Sequence, residues 1–233
     1  NTTKNHSIRT RLLVMISLIL IAFFVFSSLA LYFNTKQTAV STLKATAEKD
    51  ALRISKTFDT AAYSEFLQSP IASEQYETLR NELDTLRKQN GLLYAYTARI
   101  DQNKVRLLID GLPKKDAAKI DAPASGAKVA DMQDVLKGDT HATDIINDPV
   151  YGQYMSIYVP LKDASGQVIG ILGTDIAAKE VDALTTDLLQ QNAPIFIGLM
   201  LLLLTITLVL LYIVLGRKLR PLETLQKVAA LIA

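Results

Sequence analysis

Two uncharged apolar runs, Leu12 to Phe33 and Ala193 to Leu215, stand near opposite ends of a 233-residue chain. At about 1.5 Å per helical residue each reaches roughly 33 Å, enough to cross a hydrocarbon core of about 30 Å. A helix also satisfies its own backbone hydrogen bonds, which lipid demands. Lys4, Arg9 and Arg11 precede the first run, and Arg217, Lys218 and Arg220 follow the second. The positive-inside rule then puts both ends in the cytoplasm. The stretch between them, Asn34 to Asn192, holds 18 Lys plus Arg against 22 Asp plus Glu, so the net charge of +2 conceals basic tips and an acidic middle. The middle is the translocated part. A cleaved signal peptide is the alternative for the first run, but a signal core spans only about 7 to 15 residues and ends at a small-residue cleavage site. A retained anchor fits the length better. Tyr32 and Tyr212 fall near the run ends, where amphipathic rings favour the interface.

The external segment is long enough for one domain with its own core and hardly for two. No cysteine occurs, so neither disulfides nor thiolate zinc sites can hold that domain together. Histidine appears only at His6 and His141, on opposite sides of the membrane, which excludes a histidine metal cluster and a Cys/His pair. His141, within the polar stretch Gly138 to Asp144, reads as a solvated loop residue. The chain is therefore expected to be no enzyme on the outside and to need no cofactor, metal or nucleic acid. It begins with Asn and ends at Ala233 inside a helical pattern, as a piece of a longer polypeptide would.

Beyond the first apolar run, Val40, Leu43, Ala47, Ala51, Ile54, Phe58, Ala61 and Phe66 recur at helical spacing. One amphipathic helix should thus continue out of the membrane to Ser69-Pro70, where proline ends it. A second helix is expected over Glu74 to Gln89, stopped by Asn90-Gly91. The period then shifts to strands: Leu92 to Ile100 and Lys104 to Asp110 form a hairpin about Asp101-Gln102-Asn103. A long irregular region, Gly111 to Lys128, precedes a short helix over Val129 to Lys137. Strands at Gly152 to Leu161 and Gln167 to Ile176 follow, and Ala178 to Gln191 is helical. Pro194 either restarts that helix behind Asn192 or kinks it, and the kink is favoured.

Four antiparallel strands after a long helix, the last leading into a membrane helix, resemble the single Cache domain, an extracytoplasmic relative of PAS sensor folds. The residues that carry the resemblance are the tyrosine-rich stretch from Tyr151-Gly152-Gln153-Tyr154 to Val159-Pro160-Leu161 and the glycine-punctuated stretch from Gly166 through Gly170 and Gly173 to Asp175-Ile176. The implied fold class is α+β: a PAS-like single Cache sensor domain with a long N-terminal helix and an antiparallel sheet, flanked by two transmembrane helices. Gly216-Arg217-Lys218-Leu219-Arg220-Pro221-Leu222-Glu223-Thr224-Leu225 resembles the opening of a HAMP relay, whose seam continues through Ala229 and Ile232. HAMP relays act as dimers, which implies a parallel homodimer. The same resemblance implies a cytoplasmic signalling module farther on: methyl-accepting chemotaxis, histidine kinase or nucleotide cyclase.

In such folds the ligand pocket lies on one face of the sheet, beneath the long loop and short helix, here Gly111 to Val150. Alternation puts Tyr154, Ser156 and Tyr158 on one face of their strand, and Tyr94 and Tyr96 on one face of theirs. Parity does not say which face is the pocket. The candidate ligand-binding residues are Tyr94, Tyr96, Asp110, Tyr151, Tyr154, Ser156 and Asp175. By resemblance Asp175 holds a ligand amine; alternatively it caps the helix that follows. Asp110 either lines the pocket or starts a turn with Gly111. Gly170 and Gly173 leave gaps for a ligand or for packing, and Arg99 or Arg106 would suit a carboxylate. Amino-acid receptors with double Cache domains carry an Arg-x-Trp-Tyr motif, and this chain has no tryptophan. The expected partners are a small extracytoplasmic molecule or a periplasmic binding protein, the lipid bilayer and a second copy. The whole reads as the sensing region of a bacterial inner-membrane chemoreceptor, with kinase or cyclase control as the runner-up. A two-helix ligand-gated channel is less favoured, because Ser17, Ser27, Ser28, Thr205 and Thr207 are too few to line a water path.

Overall fold

The computed structural model describes residues 8–124, 126–149 and 151–218. They fall into two compact units: the two helical ends, up to Gln37 and from Thr185 onward, and a mixed unit, Thr38–Leu184. Leu219 to Ala233, the greater part of the HAMP-like stretch, lies outside the described residues.

The helical unit comprises the first part of α1 (Ile8–Thr57) and most of α5 (Lys179–Lys218). Both are long and apolar enough to cross a membrane. Large apolar side chains stand exposed along them, Phe26 at 72% and Leu199 at 62% among them. Contiguous apolar surface of this extent has no place against water. Helix α5 runs without interruption through Pro194. The Asn192 side chain donates to the Leu188 carbonyl at 2.8 Å instead of opening a new helix, so the restart behind Asn192 does not occur.

In the mixed unit, α1 stops at Thr57, earlier than its apolar spacing predicts. Asp59 takes over as a cap, its carboxylate accepting from the Ala61 and Ala62 amides, and α2 (Thr60–Gln68) begins there. A short acid that bonds its own downstream backbone outcompetes helix continuation at that point. Helix α3 (Glu74–Gln89) has the expected bounds, with Ser73 as its cap. The sheet comprises β1 (Tyr94–Asp101), β2 (Lys104–Asp110), β3 (His141–Ala142), β4 (Ile146–Asp148), β5 (Gly152–Lys162) and β6 (Val168–Ala177), with α4 (Val129–Leu136) before β3. The order is β2-β1-β6-β5-β3, with β4 also on β5, and every pairing is antiparallel. Gln102 and Asn103, with φ of 46° and 59°, turn β1 into β2. Two residues of left-handed φ match the twist of a hairpin.

Strands β3 and β4 were not expected. His141 is therefore a strand residue, paired with Tyr158 and stacked on its ring at 6.4 Å, and not a solvated loop histidine. Its neighbour Asp144 reaches Lys44 of α1 at 2.7 Å, with 96% of the Asp144 side chain exposed. Water screens such a pair, so Asp144→Ala should change unfolding stability by less than about 1 kcal/mol in thermal denaturation.

Tertiary packing resolves the ambiguity of face. Met155, Ile157, Val159 and Leu161 of β5 join Ile54, Phe66, Leu79 and Leu83 in the main core. The alternate residues of β5, with Tyr96, Ala98 and Ile171, look the other way. There Tyr158 packs with Met132 and Val135 of α4 in a second cluster. Both faces of β5 are thus covered, which explains its unbroken burial from Tyr154 to Leu161. Pro160 is tolerated because it lies beyond the rungs to β3, where it has no ladder hydrogen bond to donate.

Candidate functional site

The face away from α1, α2 and α3 carries a cavity of about 200 Å³ whose lining includes Tyr94, Tyr96, Asp110, Tyr151, Tyr154 and Asp175. Leu107 of β2 lines it as well, together with Leu112, Asp116 and Ala118 from the loop that follows. Leu107 and Asp110 are three positions apart, so strict alternation would put them on opposite faces. A register shift between Thr97 and Ala98 on β1 leaves Leu108 as an extra residue on β2, pairing Ala98 with Leu107 but Tyr96 with Asp110. The bulge resets parity and aims both side chains into the cavity, a common use of such irregularities.

Asp175 sits in β6 between Tyr94 on one neighbouring strand and Ser156 on the other. It is buried, and the Tyr96 hydroxyl donates to its Oδ1 at 3.4 Å. Burial pushes its pKa from the ordinary 3.8 up to about 7, while the Ser156 and Tyr96 hydroxyls pull it down and the charge on Asp110 adds to the rise. Ser156 Oγ is wholly buried and makes no hydrogen bond of regular geometry. Its hydroxyl acts on Asp175 from the neighbouring strand by proximity.

Asp110 is raised by burial too, but less freely. Its Oδ1 accepts from the Leu112 amide at 3.2 Å and its Oδ2 from the Ala118 amide at 2.8 Å. Behind it Arg87 donates to the Gly111 carbonyl at 3.3 Å and Arg80 to the Leu112 carbonyl at 2.7 Å. One carboxylate thus pins the covering loop and has guanidinium charge at its back. Asp175, the other, has hydroxyls only. Tyr94 and Tyr151 meet edge to face with ring centroids 5.5 Å apart, forming an aromatic wall.

Of the seven candidate residues, six meet in this cavity; Ser156, the cross-strand partner of Asp175, is buried and is not part of the lining. Asp175 caps no helix, since α5 opens only at Lys179. Asp110 both lines the cavity and starts the turn, two roles that the sequence posed as alternatives. Arg99 and Arg106 do not enter it: Arg99 pairs with the Asp121 carboxylate at 2.8 Å and Arg106 donates to the Asp121 carbonyl at 3.1 Å. Helix α4 covers the neighbouring cluster and, among the described residues, gives the cavity no lining; the loop and Tyr151 of the β4–β5 turn close it. The gaps at Gly170 and Gly173 are filled by the protein's own Tyr63 and Tyr96 rings, which leaves no approach there for a ligand. Leu107 and Asp116 were missed. Nothing in their local sequence separates them from surface residues, and the bulge that turns Leu107 inward has no residue signature.

The fold matches those of known sensory domains. The sensor domain of the V. cholerae histidine kinase DctB superposes with a TM-score of 0.51 at 12% identity, over 68% of this chain and 59% of that one. The sensory domain of the Campylobacter jejuni chemoreceptor Tlp3 gives 0.45 at 22% identity, over 71% of this chain and 65% of that one. The E. coli DcuS sensor domain gives 0.46 at 20% identity, over 62% and 98%. This chain spans less than two thirds of the DctB and Tlp3 domains it matches. No family model matches the sequence, and no curated protein does. The class that results is an α+β fold of the PAS/Cache kind, like that of the DctB sensor domain, on a chain with two helices able to span a membrane.

Proposed function

We propose that this chain is the sensing region of a bacterial transmembrane receptor, whose extracytoplasmic domain, Asn34 to Asn192, takes a small molecule into the tyrosine and carboxylate cavity. The observation that carries this reading is the cavity itself: a concave, partly apolar site in which two buried carboxylates with raised pKa values converge under one loop. Such a combination is the usual mark of a ligand site. The segments Leu12–Phe33 and Ala193–Leu215 are the two bilayer crossings, with both chain ends in the cytoplasm. Binding shifts the balance between two arrangements of these helices in a homodimer, and a HAMP-like relay from Gly216 onward passes the shift to a cytoplasmic signalling module. A ligand acts only through its differential affinity for the two states, about 1.4 kcal/mol for each tenfold change. The continuous backbone of α5 through Pro194 supports this route. Chemotaxis is the favoured output, with a histidine kinase or nucleotide cyclase as the second reading.

The test is a thermal-shift screen of the full chain in lipid nanodiscs against amino acids, organic acids, amines and purines. A true ligand at a hundred times its Kd should stabilise by about 2.7 kcal/mol, and Asp175→Ala should abolish that gain. If no class of compound stabilises the chain, sensing passes through a periplasmic binding protein and the cavity is not the receptor site. Single-channel conductance in bilayers would replace the receptor reading with that of a channel.

A further inference from the structure

We infer that the cavity selects a small organic cation of single charge that carries no carboxylate, with its ammonium head at Asp175 and its apolar part against Tyr94, Tyr96 and Leu107. This rests on the sensor reading above and narrows its ligand class.

The argument is a count of charge around one enclosed space. Asp110, Asp116 and Asp175 line the cavity, and no Lys, Arg or His does so among the described residues. The cationic side chains packed nearby are committed elsewhere. Arg87 holds Asp84 at 2.7 Å, Arg80 holds Glu77 at 2.9 Å, and Arg99 holds Asp121 at 2.8 Å. Lys115 lies 3.9 Å from Asp116 but is 84% exposed, out at the rim. Backbone donors offer a ligand carboxylate little more, because the Leu112 and Ala118 amides are taken by Asp110. An amino acid or organic acid entering here would bury its own carboxylate beside carboxylates without a counter-charge.

A monocation meets the opposite situation. Lys114 also holds Glu77 at 3.1 Å and Lys88 also holds Asp84 at 2.6 Å, so Arg80 and Arg87 are not fully spent on those acids, and from behind Asp110 their charge favours its ionised form. Asp116 has Lys115 beside it at the rim and Asp175 has no such cation, so one negative charge is left uncompensated at the cavity floor. Tyrosine rings around that point add the favourable face that ammonium groups seek. The volume of about 200 Å³ lies below the range of roughly 300 to 1,000 Å³ typical of drug-sized ligands. It suits a molecule of a few heavy atoms.

Three probes with one branched skeleton separate the charge classes: isobutylamine, L-valine and isovalerate, titrated calorimetrically into the full chain in nanodiscs at pH 8. Isobutylamine should bind, with L-valine and isovalerate at least about 30-fold weaker, since each would leave a buried charge unpaired. Asp175→Asn, which is isosteric and removes the charge, should weaken isobutylamine by at least about 30-fold, while Asp144→Ala, outside the cavity, should leave it unchanged. Tighter binding of L-valine or isovalerate overturns the cation inference and leaves the sensor reading standing. So does undiminished isobutylamine binding to Asp175→Asn. If none of the three probes binds while another class of compound stabilises the chain, the inference again fails alone. Silence from every class removes both.

Discussion

Asp175→Asn should melt higher than the wild type at pH 8 and at the same temperature at pH 4. The folded pKa of Asp175, about 7, lies above its ordinary value of 3.8 because burial penalises the ionised form. Between those values the native state holds a proton that the unfolded chain has released. Stability contributed by the protonated acid is therefore full below about pH 4, falls as pH rises, and is gone above the folded pKa. The difference corresponds to a ceiling of about 4 kcal/mol. Asparagine carries no charge at any pH, and its amide can donate to Ser156 Oγ, which lacks a regular partner. The gain of the variant over the wild type should grow from near zero at pH 4 toward that ceiling at pH 8, read as paired denaturation curves. Parallel curves at the two pH values would mean that Asp175 is not a buried ionised group. The same substitution should cost ligand binding, so stability and sensing move in opposite directions at this one side chain. That opposition is expected wherever a site holds charge in readiness for a partner.

Gly173→Ala should destabilise the domain by about 2 to 3 kcal/mol and weaken ligand binding about tenfold. Gly173 is the cross-strand partner of both Tyr96 and Tyr158. The Tyr96 ring lies so close over it that an added methyl group would fall inside van der Waals contact with the ring carbons. The ring is buried and borders the cavity, so it must tilt toward that space and carry its hydroxyl away from Asp175. A double-mutant cycle isolates the clash. In a Tyr96→Ala background the same Gly173→Ala change should cost less than about 0.5 kcal/mol, a coupling of more than 1 kcal/mol between neighbours. Additive effects would show that Gly173 matters for strand geometry instead.

Much of the architecture was legible because its causes are local. Helix α3 keeps its predicted bounds since Ser73, the apolar stripe and Asn90-Gly91 all act within a turn of the residues they govern. The β1–β2 hairpin follows from the polar residues at its bend, and β5 and β6 from long apolar stretches. Misreadings arose where a short polar group competes with periodicity, as Asp59 does in ending α1, or where a strand is too short to show a period, as with β3 and β4. The candidate site was half legible. Tyr94, Tyr96, Tyr154 and Asp175 carry a recognisable pattern, whereas Ser156 has the right parity and is buried beside Asp175 without lining the cavity. Its side chain is short, and reach is not encoded in alternation.

The sequence by itself determined the membrane-capable helices, the class of the domain and the identity of six of the side chains now found around the cavity. Length, charge and period are properties of neighbours along the chain, so one dimension suffices for them. Only the tertiary structure decided which face of the sheet is the pocket, since that depends on α1, α2 and α3 occupying the other face. It alone turned Asp110 inward beside Leu107, because the bulge at Leu108 exists only in the pairing of two strands. It also spent Arg80, Arg87 and Arg99 on partners outside the cavity. An overall charge near neutrality thus folds into a site with an unanswered negative charge, and that charge is the basis for the ligand class proposed.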